Sequence, residues 1–551
     1  MTHLRNQSLL LLLGTALLTV SGVKAAPETA IDPEKFVESV GVNVKLAYAD
    51  TPYNDFARVK LKLNEAGIRH IRDGVTNPEK VNELGAAGIS LMAIIQPAKA
   101  GMSRDEMKAE MLDGLRKVRG SLRAIEGPNE PDGSYNTQLQ PFPQAVIDYQ
   151  KLLFDSVKAD ADLKKFPVVA TSIGFPPNSA KTPDVACDWG NTHSYHGARP
   201  PETNDQNLDL PKFYLANAAI QAPGKPVVCT ETGNPTNQYD DPNLWMPRTS
   251  EWAHGKYTLR TLCHYFSQGI VATYLHELID EHPQKNVAES NFGILRHDWS
   301  AKPAYTGIKN LLNLLADKPA PGAKPFVPGA LDFEMGGEKG KVRHLLFQKR
   351  NGVFYLVLWQ PARSYEPDKK LDLGVADAQI SLKFAAPISN ALVYSPISFE
   401  RAAGAIKNPQ LLEIGVPDHP IVLELIPRGP DLIVSDFALV DAQTGGAPQV
   451  GKPAKFKALL KNKGAFPTVP NVPHAVTFFD ETGGAAKFLT FGVARTLVLK
   501  AGEETEVEAN GTWTPTQAGA LKVQALADDV DRIGEESDGN NSLSKTISVS
   551  P

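Results

Sequence analysis

Apolar residues between positions 36 and 316 fall into two alternating textures. Short runs rich in Val, Ile, Leu and Thr, bounded by Gly, Pro, Asn or Asp, read as strands. They occupy 40–47, 68–73, 89–96, 122–127, 168–173, 189–195, 227–230 and 270–276. Between them apolar positions recur every three or four residues, the spacing of a helix with one buried face. These stretches are 53–66, 77–87, 103–119, 143–159, 210–222 and 252–268, with 304–315 closing the set. Strands separated by helices pair in parallel, because each connection has to cross back over the sheet. Eight strands in about 280 residues predict an α/β fold of the (β/α)8 barrel type, which typically takes about 250. An open doubly wound sheet is the alternative, but no Gly-x-Gly-x-x-Gly or Walker loop follows any of the runs.

After Asp317 the pattern changes. Residues 318–325 form a Pro-rich connector in which a helix cannot persist. Beyond it come strand-like runs without helical spacing, at 342–349, 353–359, 379–384, 391–394 and 421–426, which predict an antiparallel β-sandwich packed on the barrel. Arg428-Gly429-Pro430 marks a second boundary. Runs near 432–439, 454–462, 475–480, 505–513, 519–526 and 543–549 predict a further small β-sandwich. The expected organisation is a leader over 1–25, a barrel over 26–318 and sandwiches over 319–428 and 429–551.

The leader has the parts of an export signal: His3 and Arg5, an apolar run over 9–20, then Val23-Lys24-Ala25 as a small-residue cleavage site. A membrane anchor is the competing reading, but the run breaks at Ser21-Gly22 and is short for a span. The expected location is therefore secreted, periplasmic or on the cell surface, with no membrane span after cleavage. The chain of 551 residues carries a formal net charge of −5, and loss of Arg5 and Lys24 makes it more acidic. Without a basic run it is a poor partner for nucleic acid. Cys187, Cys229 and Cys263 are too few for a disulfide framework and lack metal-type spacing. The acidic group Asp528, Asp529, Asp531, Glu535, Glu536 and Asp538 lacks the ligand spacing of a calcium loop and reads as a solvated hairpin turn. No cofactor and no metal are expected.

Two glutamates stand at the C-terminal ends of strands, where a barrel keeps its site. The fourth strand runs Ala124-Ile-Glu-Gly-Pro-Asn-Glu-Pro-Asp132 and the seventh Pro226-Val-Val-Cys-Thr-Glu-Thr-Gly233. Glu130 and Glu231 each lie where β-residues give way to a loop, three βα units apart. Strands four and seven face one another across the mouth. Two carboxyls held close there suit a reaction that needs one protonated and one ionised group, because mutual repulsion keeps a proton on one.

GPNEPD and VVCTETG resemble the clan A glycoside hydrolases, the family-5 and family-39 kind of (β/α)8 enzyme. The resemblance implies retaining hydrolysis of β-glycosidic bonds in a poly- or oligosaccharide, with carboxyls about 5–5.5 Å apart. Glu130 would be the acid/base, Glu231 the nucleophile, and Asn129 a ligand of the sugar 2-hydroxyl. Arg72 resembles the strand-two arginine that keeps the nucleophile ionised; pairing with Glu126, which also points inward, is an equal alternative. Asn191-Thr-His-Ser-Tyr-His196 resembles a His-x-Tyr pair, and strand alternation puts His193 and Tyr195 on one face. Tyr195 would then bond the nucleophile and His193 a sugar hydroxyl. Enzymes of this kind often end strand eight with Trp, whereas this chain has Tyr274 and His276 there. Tyr274 and Trp299 are the candidates for substrate contact, and Trp245 and Trp252 are stacking rings or helix packing.

PDLIVSDFAL, VGKPAKFKALLKNKGAFPT and DDVDRIGEESDGNNSLSKTISV resemble the CARDB type of extracellular β-sandwich. This implies a spacer or adhesion module in contact with a cell surface or matrix, without catalysis. Two readings compete with the hydrolase. His193, His196, His276 and Glu231 would make a metallohydrolase cluster, but positions 193 and 196 have opposite parity on a strand. A non-catalytic polysaccharide-binding protein on a degenerate barrel is the other, and intact Glu130, Glu231 and Asn129 count against it.

Overall fold

The computed structural model describes residues 26–551 apart from 134–136, 240, 242–245, 399–401, 403, 470–471 and 495–497. The apolar leader and Trp245 lie outside the described residues.

Eight parallel strands form the expected barrel: β1 (Val40–Asn43), β2 (His70–Asp73), β3 (Ser90–Ile94), β4 (Leu122–Glu126), β5 (Val168–Val169), β6 (Gly190–His193), β7 (Val227–Thr232) and β8 (Thr273–Leu275). They pair in the order β5-β4-β3-β2-β1-β8-β7-β6. The two ends meet through a parallel bridge between Val169 and Trp189, with Ala170 N–H donating to Trp189 C=O at 2.9 Å. Apart from β7, which runs two residues past its expected end, the strands are shorter than the apolar runs predict. The fifth run, expected over 168–173, forms a continuous strand only at Val168–Val169 and then keeps an isolated bridge from Ser172 to Asn129, while the Thr171 hydroxyl donates to Pro128 C=O at 2.6 Å.

The helices follow their expected spans closely: α1 (Phe56–Ala66), α2 (Pro78–Ala86), α3 (Arg104–Val118), α4 (Gln144–Ala159), α5 (Ala216–Gln221), α6 (Glu251–Ser267) and α7 (Pro303–Leu315). Their ends carry local reasons. Ser103 and Glu106 form a reciprocal capping box on α3, and Ser250 caps α6. Gly67, left-handed at φ 70°, ends α1. The helix expected over 210–222 is split: a wider π-type turn, Leu210–Leu215, precedes α5. α1 buries one stripe, Val59, Leu63 and Ala66, whereas α6, covered by the middle segment, is buried all round from Ala253 to Cys263.

The middle segment folds into a five-stranded and a three-stranded antiparallel sheet, face to face over Leu356, Leu358, Ile380, Leu382 and Leu412. Strands Phe333–Gly337, Ala405–Lys407 and Leu411–Val416 complete these sheets beyond the sequence expectation. The first is rich in Gly, and the other two owe their pairing to neighbours rather than to β-branched content. Its five-stranded sheet continues the barrel core: Phe347, Tyr355, Val357, Trp359 and Ile397 share one buried cluster with Leu259 of α6 and Ile308 of α7.

The last segment is a sandwich of three and four strands, centred on Phe456 stacked against Phe478 with ring centroids 4.7 Å apart. Its acidic group is only partly solvated. Asp528 and Glu535 are buried: Asp528 accepts from Arg532 and Ile533 N–H, and Glu535 from Leu432 N–H and Asn541 Nδ2. Those carboxylates hold a turn. All three cysteines are buried and free. No helix among the described residues is long and apolar enough to cross a membrane.

Candidate active site

The chain leaves β4 at Glu126, passes Gly127-Pro128-Asn129 and reaches Glu130 with a positive φ of 41°. For a residue other than glycine that backbone is uncommon, and here neighbours impose it. Glu130 N–H donates to Ser172 C=O at 3.1 Å, and Asn129 bridges Ser172 in parallel. Glu231 arrives from β7, where the pairing slips on both sides of the strand, between Thr192 and His193 and between Cys229 and Thr232. Such an irregularity lets consecutive side chains turn the same way. Thr230 and Glu231 accordingly both reach groups of the barrel interior.

Arg72, 2% exposed, gathers the charges beneath the mouth. Its Nε donates to Glu126 Oε2 at 2.6 Å and its Nη2 to Glu126 Oε1 at 2.8 Å. Its Nη1 donates to Glu231 Oε1 at 2.6 Å and to Asn43 Oδ1 at 2.9 Å, and its Nη2 also to Asn129 Oδ1 at 2.7 Å. Both alternatives for this arginine are therefore realised at once: it pairs with Glu126 and with Glu231. Glu126 is held in turn by Asn191 Nδ2 at 3.0 Å and the Thr230 hydroxyl at 3.1 Å.

The Tyr195 hydroxyl donates to Glu231 Oε2 at 2.7 Å. His193 Nδ1 lies 2.6 Å from Glu130 Oε1 and 3.5 Å from Glu231 Oε2, with Nε2 3.0 Å from the Thr230 hydroxyl. That hydroxyl has its own acceptors in Asn191 Oδ1 and Glu126 Oε1, so the network assigns the Nε2 hydrogen to His193 and leaves Nδ1 sharing a proton with Glu130. Burial alone would raise the pKa of Glu231; the charges of His193 and Arg72 and the Tyr195 hydrogen bond outweigh it and hold the carboxyl below the usual range. Burial would lower that of His193, but the two glutamates outweigh it and raise it. Burial pushes His276 down to about 4, so its ring is neutral at pH 7.

Glu130, His193 and Glu231 each present one ligand atom within 4.8 Å of the others. A metal there would share the Glu231 carboxylate with the Arg72 guanidinium and displace the Tyr195 hydrogen bond, a poor electrostatic fit. The four-residue metal set is not assembled: His196 Nε2 bonds the Tyr265 hydroxyl at 2.7 Å instead.

A cavity of about 440 Å³ opens beside Glu231, lined among others by Lys45, Tyr48, Asp73, Asn129 and His276. Two polar atoms of its wall, His276 Nδ1 and Gln138 Oε1, are buried without a hydrogen-bond partner among the described residues. A buried polar atom of that kind needs a partner from a ligand or from water.

The structure thus brings Asn129, Glu130, Arg72, His193, Tyr195 and Glu231 together. It does not bring Tyr274 or Trp299. Tyr274 is fully buried inside the barrel with Met92, Ala124, Val169 and Val228, in space that Gly41 on β1 leaves open. Trp299 packs on the outer core beneath the Arg58 guanidinium, 5.6 Å from its ring centroid. Trp252 faces His419 of the middle sandwich, at 6.4 Å between ring centroids. Asn43, Asn191 and Thr230 escaped the sequence reading. Asn43 carried a usable signal, as an amide inside an otherwise apolar strand, and Asn191 another, at the parity of His193.

The geometry is that of a parallel barrel with paired carboxylates at its mouth. Among solved structures, the chain is similar to a family 39 glycoside hydrolase from the gut symbiont Bacteroides cellulosilyticus WH2, with 15% identity and a TM-score of 0.51, over 72% of this chain and 82% of that one. It is similar also to the family 39 (GH39) enzyme from Xanthomonas axonopodis pv. citri, at 15% identity and a TM-score of 0.50, over 74% and 98% of the respective chains. At that identity the likeness speaks for the fold. No family model and no curated protein matches the chain.

Proposed function

We propose that the protein is an exported retaining glycoside hydrolase acting on β-linked poly- or oligosaccharide. The observation that carries this reading is the approach of the Glu130 and Glu231 carboxylates to within 4.8 Å at the barrel mouth, the separation that double displacement needs and too short to seat an inverting water. Glu231, kept ionised by Arg72 and Tyr195, attacks the anomeric carbon. Glu130 gives a proton to the departing oxygen, and in the second step takes one from the water that releases the sugar from Glu231. His193 holds the proton that Glu130 uses. The neutral His276 and Gln138, which line the cavity and each keep a buried polar atom without a partner among the described residues, bind hydroxyls of the sugar attacked by Glu231.

The two glutamates separate in an activated aryl glycoside assay. A nitrophenolate leaves without an acid, so Glu130→Ala should form the glycosyl-enzyme at near-normal rate and release it slowly, giving a burst and a low KM. Azide should rescue it with a β-glycosyl azide from a β-glycoside. Glu231→Ala should lose about 10⁴-fold or more and, with azide, give the inverted product. Azide products of the same anomeric configuration would refute the roles, and undiminished activity in both variants would place the site elsewhere.

A further inference from the structure

On the proposed hydrolase reading the cleft has two sides. The sugar attacked by Glu231 lies in the cavity that Glu231 lines, where Tyr48 stands 47% exposed. The group that Glu130 protonates must lie beyond Glu130, where the turn after β5 passes. Gly174 backs directly onto the acid, since a Cβ built there would sit 3.1 Å from the Glu130 carboxyl carbon. Asp132, two residues past Glu130, fastens the turn. Its Oδ1 accepts from Gly174 N–H at 2.8 Å, and its Oδ2 from Phe175 N–H at 3.0 Å and from Asn178 Nδ2 at 2.9 Å. Asn178 N–H closes the turn on Phe175 C=O at 2.8 Å, and Pro176-Pro177 stiffen it further.

On this pinned turn Phe175 is 61% exposed. The turn is tied at four points, so Phe175 is held exposed, one residue past the glycine that backs onto the acid, by the build of the loop rather than by looseness. A pyranose presents a face of axial C–H groups, apolar and flat enough to cover a phenyl ring, and rigid aromatic rings are effective anchors because little freedom is lost on binding. We propose that Phe175 is the platform for the sugar on the leaving-group side, so that the substrate is an internal linkage of a saccharide chain with at least one residue beyond the scissile bond. With Tyr48 on the other side, the cleft offers an aromatic ring to each half of the chain.

The test compares a β-glycosyl fluoride, whose leaving group has no ring to stack, with an oligosaccharide of the same sugar. Phe175→Ala should lower kcat/KM for the oligosaccharide about tenfold more than for the fluoride, chiefly through KM, and Phe175→Trp should restore most of the loss. Equal losses on both substrates, or none on the oligosaccharide, would overturn the platform while leaving the hydrolase reading intact. A wild-type enzyme inert on both would remove the hydrolase reading and the platform with it.

Discussion

Arg72 helps to decide the charge state of the site, because a buried guanidinium bonded to Glu231 favours its ionised carboxylate, and the same guanidinium fixes Glu126 in place. Leaving a buried charge without its partner costs about 3–5 kcal/mol, so the Arg72–Glu126 pair also braces the barrel beneath the mouth. For the proposed double displacement, with Glu231 as nucleophile, the consequence is a displaced pH profile. Glu231 is held below the ordinary 4.5, so it stays ionised, and able to attack, until the pH falls well past that value. His193 is raised above the ordinary 6.5 by the two glutamates, so the proton it shares with Glu130 survives above it and is lost only as the pH rises further. The bell of kcat/KM should therefore have its acid limb below 4.5 and its alkaline limb above 6.5. Replacing His193 by Phe should move both limbs: the alkaline limb loses the group that sets it, and the acid limb rises, because the His193 charge helps to hold Glu231 ionised. An acid limb at or above 4.5 in the wild type would contradict the role given to Arg72 and Tyr195.

At the scale of elements, the loop after β4 is aimed by close backbone approach. A Cβ on Gly127 would lie 2.0 Å from Gln150 Oε1 and 3.0 Å from Thr171 N. Gln150 cannot retreat easily, since its Nε2 is bonded to Val169 and Ala186 C=O, both at 3.1 Å. Gly127→Ala should cost about 1–3 kcal/mol by overpacking and shift Asn129 and Glu130 together. The checks are a lower urea midpoint for loss of activity and a fall in kcat/KM; an unchanged midpoint would mean that α4 gives way. Most of these elements were legible in advance, because strand and helix periods are local properties of the chain. The seven helices and eight strands lie where apolar spacing put them, with ends shortened by the loops that carry the site. The slipped pairing of β7 was not legible. Strict alternation gives Thr230 and Glu231 opposite faces, and only register with β6 and β8 turns both inward.

The whole molecule is tied together through α6. Lys256 Nζ binds both oxygens of Asp418 at 2.8 Å, Arg260 pairs with Glu202, and Trp359 Nε1 donates to the same Glu202 at 2.8 Å. A chain ending near Lys318 would expose Leu259 and Ile308, leave Lys256 without Asp418 and take the Ala362 carbonyl from Arg260, and should be insoluble or inactive. A chain ending near Pro427 loses much less. The last sandwich has its own core, and it meets the middle one through Phe466 and Val469, which join the cluster of Val353 and Ile426, through Asn390 Nδ2 to Gly534 C=O at 3.0 Å and through the Lys407–Asp531 pair. That shorter chain should keep turnover on soluble substrate, and its loss would show that the last sandwich completes the site.

Periodicity, turn residues and the two glutamate motifs are written locally, so the sequence alone determined the barrel, the β-rich remainder and the pair Glu130 and Glu231. Side-chain direction at strand ends depends on bulges, neighbouring strands and what already fills the interior. Only the tertiary structure could therefore sink Tyr274 into the barrel beside Gly41, turn His193 toward Glu130 instead of a sugar, and set Phe175 on a turn fastened to Asp132.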